Sequence, residues 1–526
     1  MNAITLSIFA NRIDAICSEM GVTLQKSAFS PNIRDRLDYS CAIFDATGEL
    51  VAQAAHIPVH LGSMAYAMRD IVSEFDWSDG DMMVLNDPFK GGTHLPDVTV
   101  VAPLFINNEI ISFVANRAHH ADIGAETPGS MPISSCLSDE GLVIEPALIV
   151  RDNRVEQAFL ETLMTRMRNP DESSGDFIAQ IAANRRGLQR LGALCEKIGV
   201  ESYLESLSAL NAYAASLAYN SLSGIDDGVY SFEDLLDDDG LGNTNILIKA
   251  SVRITSGEIT VDFAGSASQV KGNINCPLSV TAAAVYYVFR CLMPPQTPAC
   301  AGSFSHIKIK APVGSVVNAS FPAAVATGNV ETSTRIVDVI LGALAQVLPG
   351  RIPAASHGSM NNLAMGYAGD PAGTGEDAGR YPAWDYYETI GGGMGANGAS
   401  DGLDAVQTHM TNTLNTPIES LEMKFPLRVN RYHVREGSAG EGGYRGGDGL
   451  TREYEFLAPA QVTILSERRT HRPWGLNGGA DASMGENLLN GSALAGKVSV
   501  EVSAGDTLII NTPGGGGYGK VAGTVG

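Results

Sequence analysis

Histidine and aspartate side chains bracket one hairpin-like stretch of this chain, and together they have the chemistry of a metal site. The stretch is GGTHLPDVTVVAPLFINNEIISFVANRAHHAD, residues 91–122. His94 and Asp97 stand just before the apolar run VTVVAPLF, while His119, His120 and Asp122 stand just after EIISFVAN. Asn107-Asn108 between the runs is a turn signal. In an antiparallel hairpin the start of the first strand lies beside the end of the second. With strands about 4.8 Å apart, these groups gather at one end of a sheet. Such mixed nitrogen and oxygen donors suit one divalent cation, Zn²⁺ or Mn²⁺ first and Fe²⁺ or Co²⁺ as alternatives.

Register decides which histidine takes part. A two-residue turn at Asn107-Asn108 sets Asp97 opposite Ala118, so that His120 shares its face. One extra loop residue or a bulge gives that face to His119. Spacing alone leaves both open, and it leaves open that both are hydrogen-bonded loop residues. Asp38, just before the run YSCAIFD, is a candidate fourth ligand or a partner for Arg34 or Arg36. His56 and His60 in HIPVHLGSM lie before a predicted helix, either near the site or at the helix entry.

Other motifs fail on inspection. TPGGGGYGK, ending at Lys520, lacks the G-K-[ST] ending and following helix of a phosphate loop and reads as a turn. DLLDDDG lacks the leading and closing acids of a calcium loop. The glycine-rich stretches 388–398 and 445–449 read as turns or as loops that approach a ligand. The chain carries no complete nucleotide-binding motif.

The elements that must position these groups follow from patterning. Ile13, Ile16 and Met20 predict a helix over 4–27, and YSCAIFD with LVAQAA predicts a hairpin. Helical spacing continues over 61–75 and over 154–222, strands run over 81–116 and resume at 228, residues 275–350 mix two apolar helices with short strands, and residues 360–400 read as loops. The fold class expected is α+β, for a chain of 526 residues that exceeds one core. Its parts are a metal-bearing αβ part at 1–150, a helical block at 151–225, a mixed αβ part at 226–425 and a strand-rich C-terminal part at 426–526. A net charge of −23 disfavours nucleic acid and anionic lipid as partners. Seven scattered cysteines without a C-x-x-C pair point to a reducing, cytoplasmic setting, and no apolar run is long enough to span a bilayer.

The ordered motifs DRLDYSCAIFD, NDPFKGGTHLPDV, ANRAHHADIGAETPGSMP, ESLEMKFPLRV, YRGGDGLTREYEF, RPWGLNGG and NTPGGGGYG make the chain similar to the hydantoinase B/oxoprolinase family nearly end to end. The resemblance implies Asp38, His94, Asp97 and His119 as metal ligands, and so favours His119 over His120. It departs from the usual pattern at Ala125, after Gly124. It implies an ATP-dependent opening of a small cyclic amide: a hydantoin, oxoproline or lactam. A hydantoinase A-like partner subunit would bind ATP-Mg and phosphorylate the amide oxygen, in a hetero-oligomer such as α2β2. The metal here would acidify the attacking water, with His120 or Asp122 as general base. The alternatives are a component of an ATP-dependent ketone carboxylase and a non-catalytic scaffold for the A-type partner.

Overall fold

In the computed structural model, residues 2–369 and 382–521 are described. Helix α1 (Ala3–Ser27) begins at Asn2, whose side-chain oxygen accepts the Thr5 amide and satisfies one free N–H of the first turn. Its buried face carries Ile13, Ile16, Met20 and Leu24. After the single turn α2 (Pro31–Arg34) come the hairpin β1 (Tyr39–Asp45) and β2 (Leu50–Ala55), then helix α3 (Pro58–Ser73). Strands β3 (Met82–Leu85), β4 (Asp97–Ile106), β5 (Glu109–His119), β6 (Ala147–Arg151) and β7 (Arg154–Val155) follow. They complete a seven-stranded antiparallel sheet in the order β2-β1-β5-β4-β3-β6-β7.

Alternation along the strands gives this sheet two apolar faces. Val98, Val100, Val114 and Ala118 pack into a core shared with α1 and α5 (Pro170–Ile198), whereas Val101, Phe113 and Ala115 face a second core. Helices α4 (Gln157–Met164), α5 and α6 (Val200–Leu222) occupy the stretch where helical spacing predicted them. On the second face α3 packs on α7 (Leu278–Leu292), α7 on α8 (Ser333–Leu344), and α8 on β8 (Gly228–Asp238) and β9 (Thr244–Thr255). With β10 (Glu258–Asp262) and β11 (Ile307–Lys310), these strands form a second sheet, ordered β11-β10-β9-β8. The layer of α3, α7 and α8 thus lies between two sheets. Its tightness rests on Gly62, where a Cβ would come within 2.4 Å of the Ala283 Cα.

Two further sheets complete the α+β architecture. Strands β12 (Asn362–Tyr367) and β13 (Trp384–Glu388) belong to the stretch expected as loops and correct that reading. Their residues are almost all buried, and the surrounding glycines masked the apolar content; residues 370–381 of that stretch lie outside the described residues. After α9 (Ile418–Lys424) come β14 (Leu427–Arg435), β15 (Gly449–Phe456), β16 (Ala460–Leu465), β17 (Glu486–Leu489), β18 (Ser492–Leu494), β19 (Lys497–Val502) and β20 (Thr507–Asn511). They give the sheets β13-β12-β16-β19 and β14-β15-β20-β17-β18.

The glycine-rich segments, read as turns, are packed interior. Gly447 donates its amide to the Met394 carbonyl at 2.8 Å, and Gly515 to the Gly447 carbonyl at 2.9 Å. A Cβ on Gly393 would lie 2.0 Å from the Gly447 oxygen, and one on Gly515 2.1 Å from the Met394 oxygen. Backbone can approach backbone this closely only without side chains. The Gly516 and Gly517 amides pair with the Ala355 and Ala480 carbonyls, so these amides are not free to cradle a phosphate.

A buried charge network ties α8 to the C-terminal sheets. Arg335 lies 3.3 Å from Asp234 and 3.5 Å from Glu467, Arg468 reaches Asp234 and Asp338, and Lys497 meets Glu467 at 2.6 Å. Glu331, one wide helical turn before α8, accepts the Met360 amide and the Asn362 side-chain amide. Burial, reinforced by nearby Glu467, pushes the Glu331 carboxyl up to about 7.

Two outcomes are expected. Gly62→Val, by forcing α3 off α7, lowers stability by about 1–3 kcal/mol in urea titrations. The second concerns pH. Glu331 binds its proton more tightly folded than at the 4.5 of an ordinary glutamate. Its stabilising contribution is therefore full below about pH 4.5 and is lost as pH rises through about 7. Glu331→Gln keeps an oxygen for both donors and removes this slope, on the order of 3 kcal/mol, from midpoints measured across that range.

Candidate metal centre

The site is set by the register of one hairpin. Asn107 and Asn108 both have positive φ, 53° and 64°, and form the tight two-residue turn that pairs Ile106 with Glu109. That register, extended unchanged, would place Asp97 opposite Ala118. It shifts between Phe105, paired with Ile110, and Leu104, paired with Ser112, so Ile111 is an extra residue. Beyond this bulge Asp97 pairs with His119. Of the two registers open from spacing, the structure has the bulged one.

Asp97 is the hub. The His94 Nε2 and His119 Nδ1 atoms each lie 3.3 Å from its Oδ1, and the His60 Nε2 lies 3.3 Å from its Oδ2. His94, Asp97 and His119 each offer one ligand atom within 4.8 Å of the others. All three are at most 2% exposed, around a cavity of about 20 Å³, room for one ion or one water. His94 Nε2, His119 Nε2 and Asp97 Oδ1 are buried without a hydrogen-bond partner in the protein. Orphaned buried atoms demand a partner, and this donor set fits a divalent cation.

Surrounding groups fix the rings. His94 Nδ1 meets the Ala326 carbonyl at 3.3 Å, which turns Nε2 toward the cavity. Thr93 Oγ1 donates to Asp97 Oδ2 at 2.6 Å. The His119 ring stacks on Tyr387 at 4.6 Å, and the Tyr387 hydroxyl donates to Asn362 Oδ1 at 2.7 Å. Asn362 is held in turn by Glu331. Burial alone would raise the Asp97 carboxyl, but the adjacent imidazoles outweigh it and hold the group well below the usual range. Burial acts to lower His94, yet Asp97 more than reverses this and its pKa is raised; for His119 burial prevails and the pKa is lowered.

The other expected residues fall into two groups. Asp38 lines the same cavity, and its carbonyl accepts the His119 amide at 3.0 Å. Its carboxylate lies 3.8 Å from Arg36, outside the three-residue group. Asp35 pairs with Arg34. His60 lines the cavity, whereas the His56 ring packs at a tilt against Tyr39. The structure does not bring His120 or Asp122 to the cluster, which corrects their expected place beside it. Strand alternation turns His120 to the opposite face, where its Nε2 meets Gln180 at 2.9 Å and its ring packs on Phe177. Asp122 accepts the Gly124 amide at 2.8 Å and the Arg168 amide, and so holds a loop. Sequence reasoning missed Asn329, Tyr387, Thr411 and Thr413, which complete the cavity from more than 200 residues away. No local motif marks them.

The chain matches the family described as hydantoinase B/oxoprolinase over residues 2–521. It is 39% identical to a protein named 5-oxoprolinase 1 from Arabidopsis thaliana, covering 99% of this chain and 42% of that one. It is 31% identical to a protein named as the putative B component of a D-/L-hydantoinase from a Pseudomonas species, covering 99% and 90%. The chain thus spans less than half of some relatives and nearly all of others. Among solved structures, an ATP-dependent caprolactamase from Pseudomonas jessenii superposes with a TM-score of 0.90 at 27% identity, covering 99% of this chain and 91% of that one. An acetone carboxylase shares the fold, with a TM-score of 0.86 at 17% identity over 98% and 76%. With its whole described length matched, this chain belongs to the hydantoinase B/oxoprolinase family.

Proposed function

We propose that this chain is the metal-binding, B-type component of a cytoplasmic, ATP-dependent enzyme that opens cyclic amides together with an ATP-binding A-type partner. The observation that carries the proposal is the convergence of three buried side chains, His94, Asp97 and His119, each with an unpartnered ligand atom, on the end of the β4–β5 hairpin. His94, Asp97 and His119 are the proposed ligands, with Asp38 as a fourth contributor from the cavity wall. A divalent cation held there would supply Lewis acidity, the chemistry that attack on an activated amide carbon needs.

The chain's own groups do the rest. Amide resonance leaves the ring carbonyl weakly electrophilic, so ATP must activate its oxygen. The glycine-rich segment 512–520, the nearest match to a phosphate loop, is paired within the fold, which supports placing ATP-Mg on the partner. His60 is the imidazole placed to move a proton at the cluster: its Nε2 faces Asp97 and its Nδ1 lies 3.4 Å from Ser40 Oγ. His120 and Asp122 hold structure instead. Tyr387 orients His119 through stacking.

Elemental analysis of purified protein is expected to find one divalent ion per chain, lost in His94→Ala and Asp97→Asn and kept in His120→Ala. A metal-free wild type, or equal loss in His120→Ala, would contradict the assignment. With an A-type partner and ATP, His60→Ala is expected to lower kcat by about 10²-fold or more at unchanged metal content. Full activity in that variant would remove His60 from the mechanism.

A further inference from the structure

A second cavity, of about 370 Å³, adjoins the metal cluster. This is within the roughly 300–1,000 Å³ of small-molecule sites. Thr411 lines both cavities, and consecutive residues at the start of α3 divide between them: Ile57 and Val59 face the cluster, Pro58 the larger space. Tyr287, Leu341 and Met394 make its walls largely apolar. One polar group stands out. His409 lines the cavity from a left-handed backbone position, φ 57°. Its side chain is only 9% exposed, and its Nε2 has no hydrogen-bond partner, being 3.7 Å from the nearest Asp338 oxygen. Burial lowers the His409 pKa and Asp338 offsets only part of this, so the ring is neutral near pH 7.

Charge is what this cavity lacks. No lysine, arginine, aspartate or glutamate lines it among the described residues. Arg468, behind His409, is already engaged by Asp234 and Asp338, and Arg36, beside the metal cluster, by the Tyr387 carbonyl. An ionised carboxylate bound in this cavity would lose its hydration and find no cationic side chain in the lining, a cost that an uncharged amide avoids. A ring amide, by contrast, offers an N–H and a carbonyl that a neutral imidazole can pair with.

We propose that this cavity holds the body of the substrate, and that it selects an uncharged lactam or hydantoin ring over 5-oxoproline. The inference rests on the amide-opening reading above and sharpens it. It runs against transfer of substrate from the relatives named 5-oxoprolinase. The matched pair 2-pyrrolidinone and 5-oxoproline differs only in the carboxylate.

The test compares the two with the metal-loaded full chain, its A-type partner and ATP, measuring kcat/KM, and with equilibrium dialysis of each labelled ring. The expected result is a preference of roughly tenfold or more for 2-pyrrolidinone. Gln407→Lys, in the cavity wall, and Cys291→Lys, at an exposed position on it, are expected to shift the ratio toward 5-oxoproline without loss of metal. Equal or better use of 5-oxoproline by the wild type would overturn the inference, as would binding of neither ring. Retention of acetophenone with turnover of neither lactam would separate the two claims: the amide reading fails, while the preference for an uncharged occupant stands.

Discussion

A single buried carboxylate constrains this structure more than any other group. Asp97 has no exposed surface, and a bare negative charge in such a place is prohibitively costly. The fold answers with imidazoles from three separate positions, two on the β4–β5 hairpin and its approach and one on α3, and with the hydroxyl of Thr93. Each histidine must arrive with the correct nitrogen forward. Hence the carbonyl of Ala326 behind His94 and the stacked ring of Tyr387 against His119. These demands fix how α3, the seven-stranded sheet and the β12–β13 hairpin meet.

Much of this was legible in the residues. The apolar runs and the Asn107-Asn108 turn specify the hairpin, and period-two alternation then restricts which groups can share a face. What spacing left undecided was one residue of register. The bulge at Ile111 resolves it, and nothing in EIISFVAN marks that residue as extra, because the bulge answers to how the two strands twist together. The same alternation explains why His120, adjacent to His119, belongs to the core against α5.

The parts that escaped sequence reading share a cause: each depends on a partner distant along the chain. Tyr387 and Asn329 are ordinary residues until β13 and the segment before α8 close over the sheet. Strands β12 and β13 were hidden among glycines whose role is itself a tertiary one. Gly393, Gly447 and Gly515 have their backbones in contact, which composition alone cannot distinguish from a run of turns. The segment ending at Lys520 shows the same point from the other side, since its resemblance to a phosphate loop dissolves once its amides are found paired.

The most direct measurement of the central claim is anomalous X-ray diffraction at the absorption edge of the metal found in the purified protein. One anomalous peak is expected, within bonding distance of His94, Asp97 and His119, where the three buried side chains converge. Well-ordered density for all three side chains in a metal-replete crystal, with no peak between them or with the peak elsewhere, would contradict it.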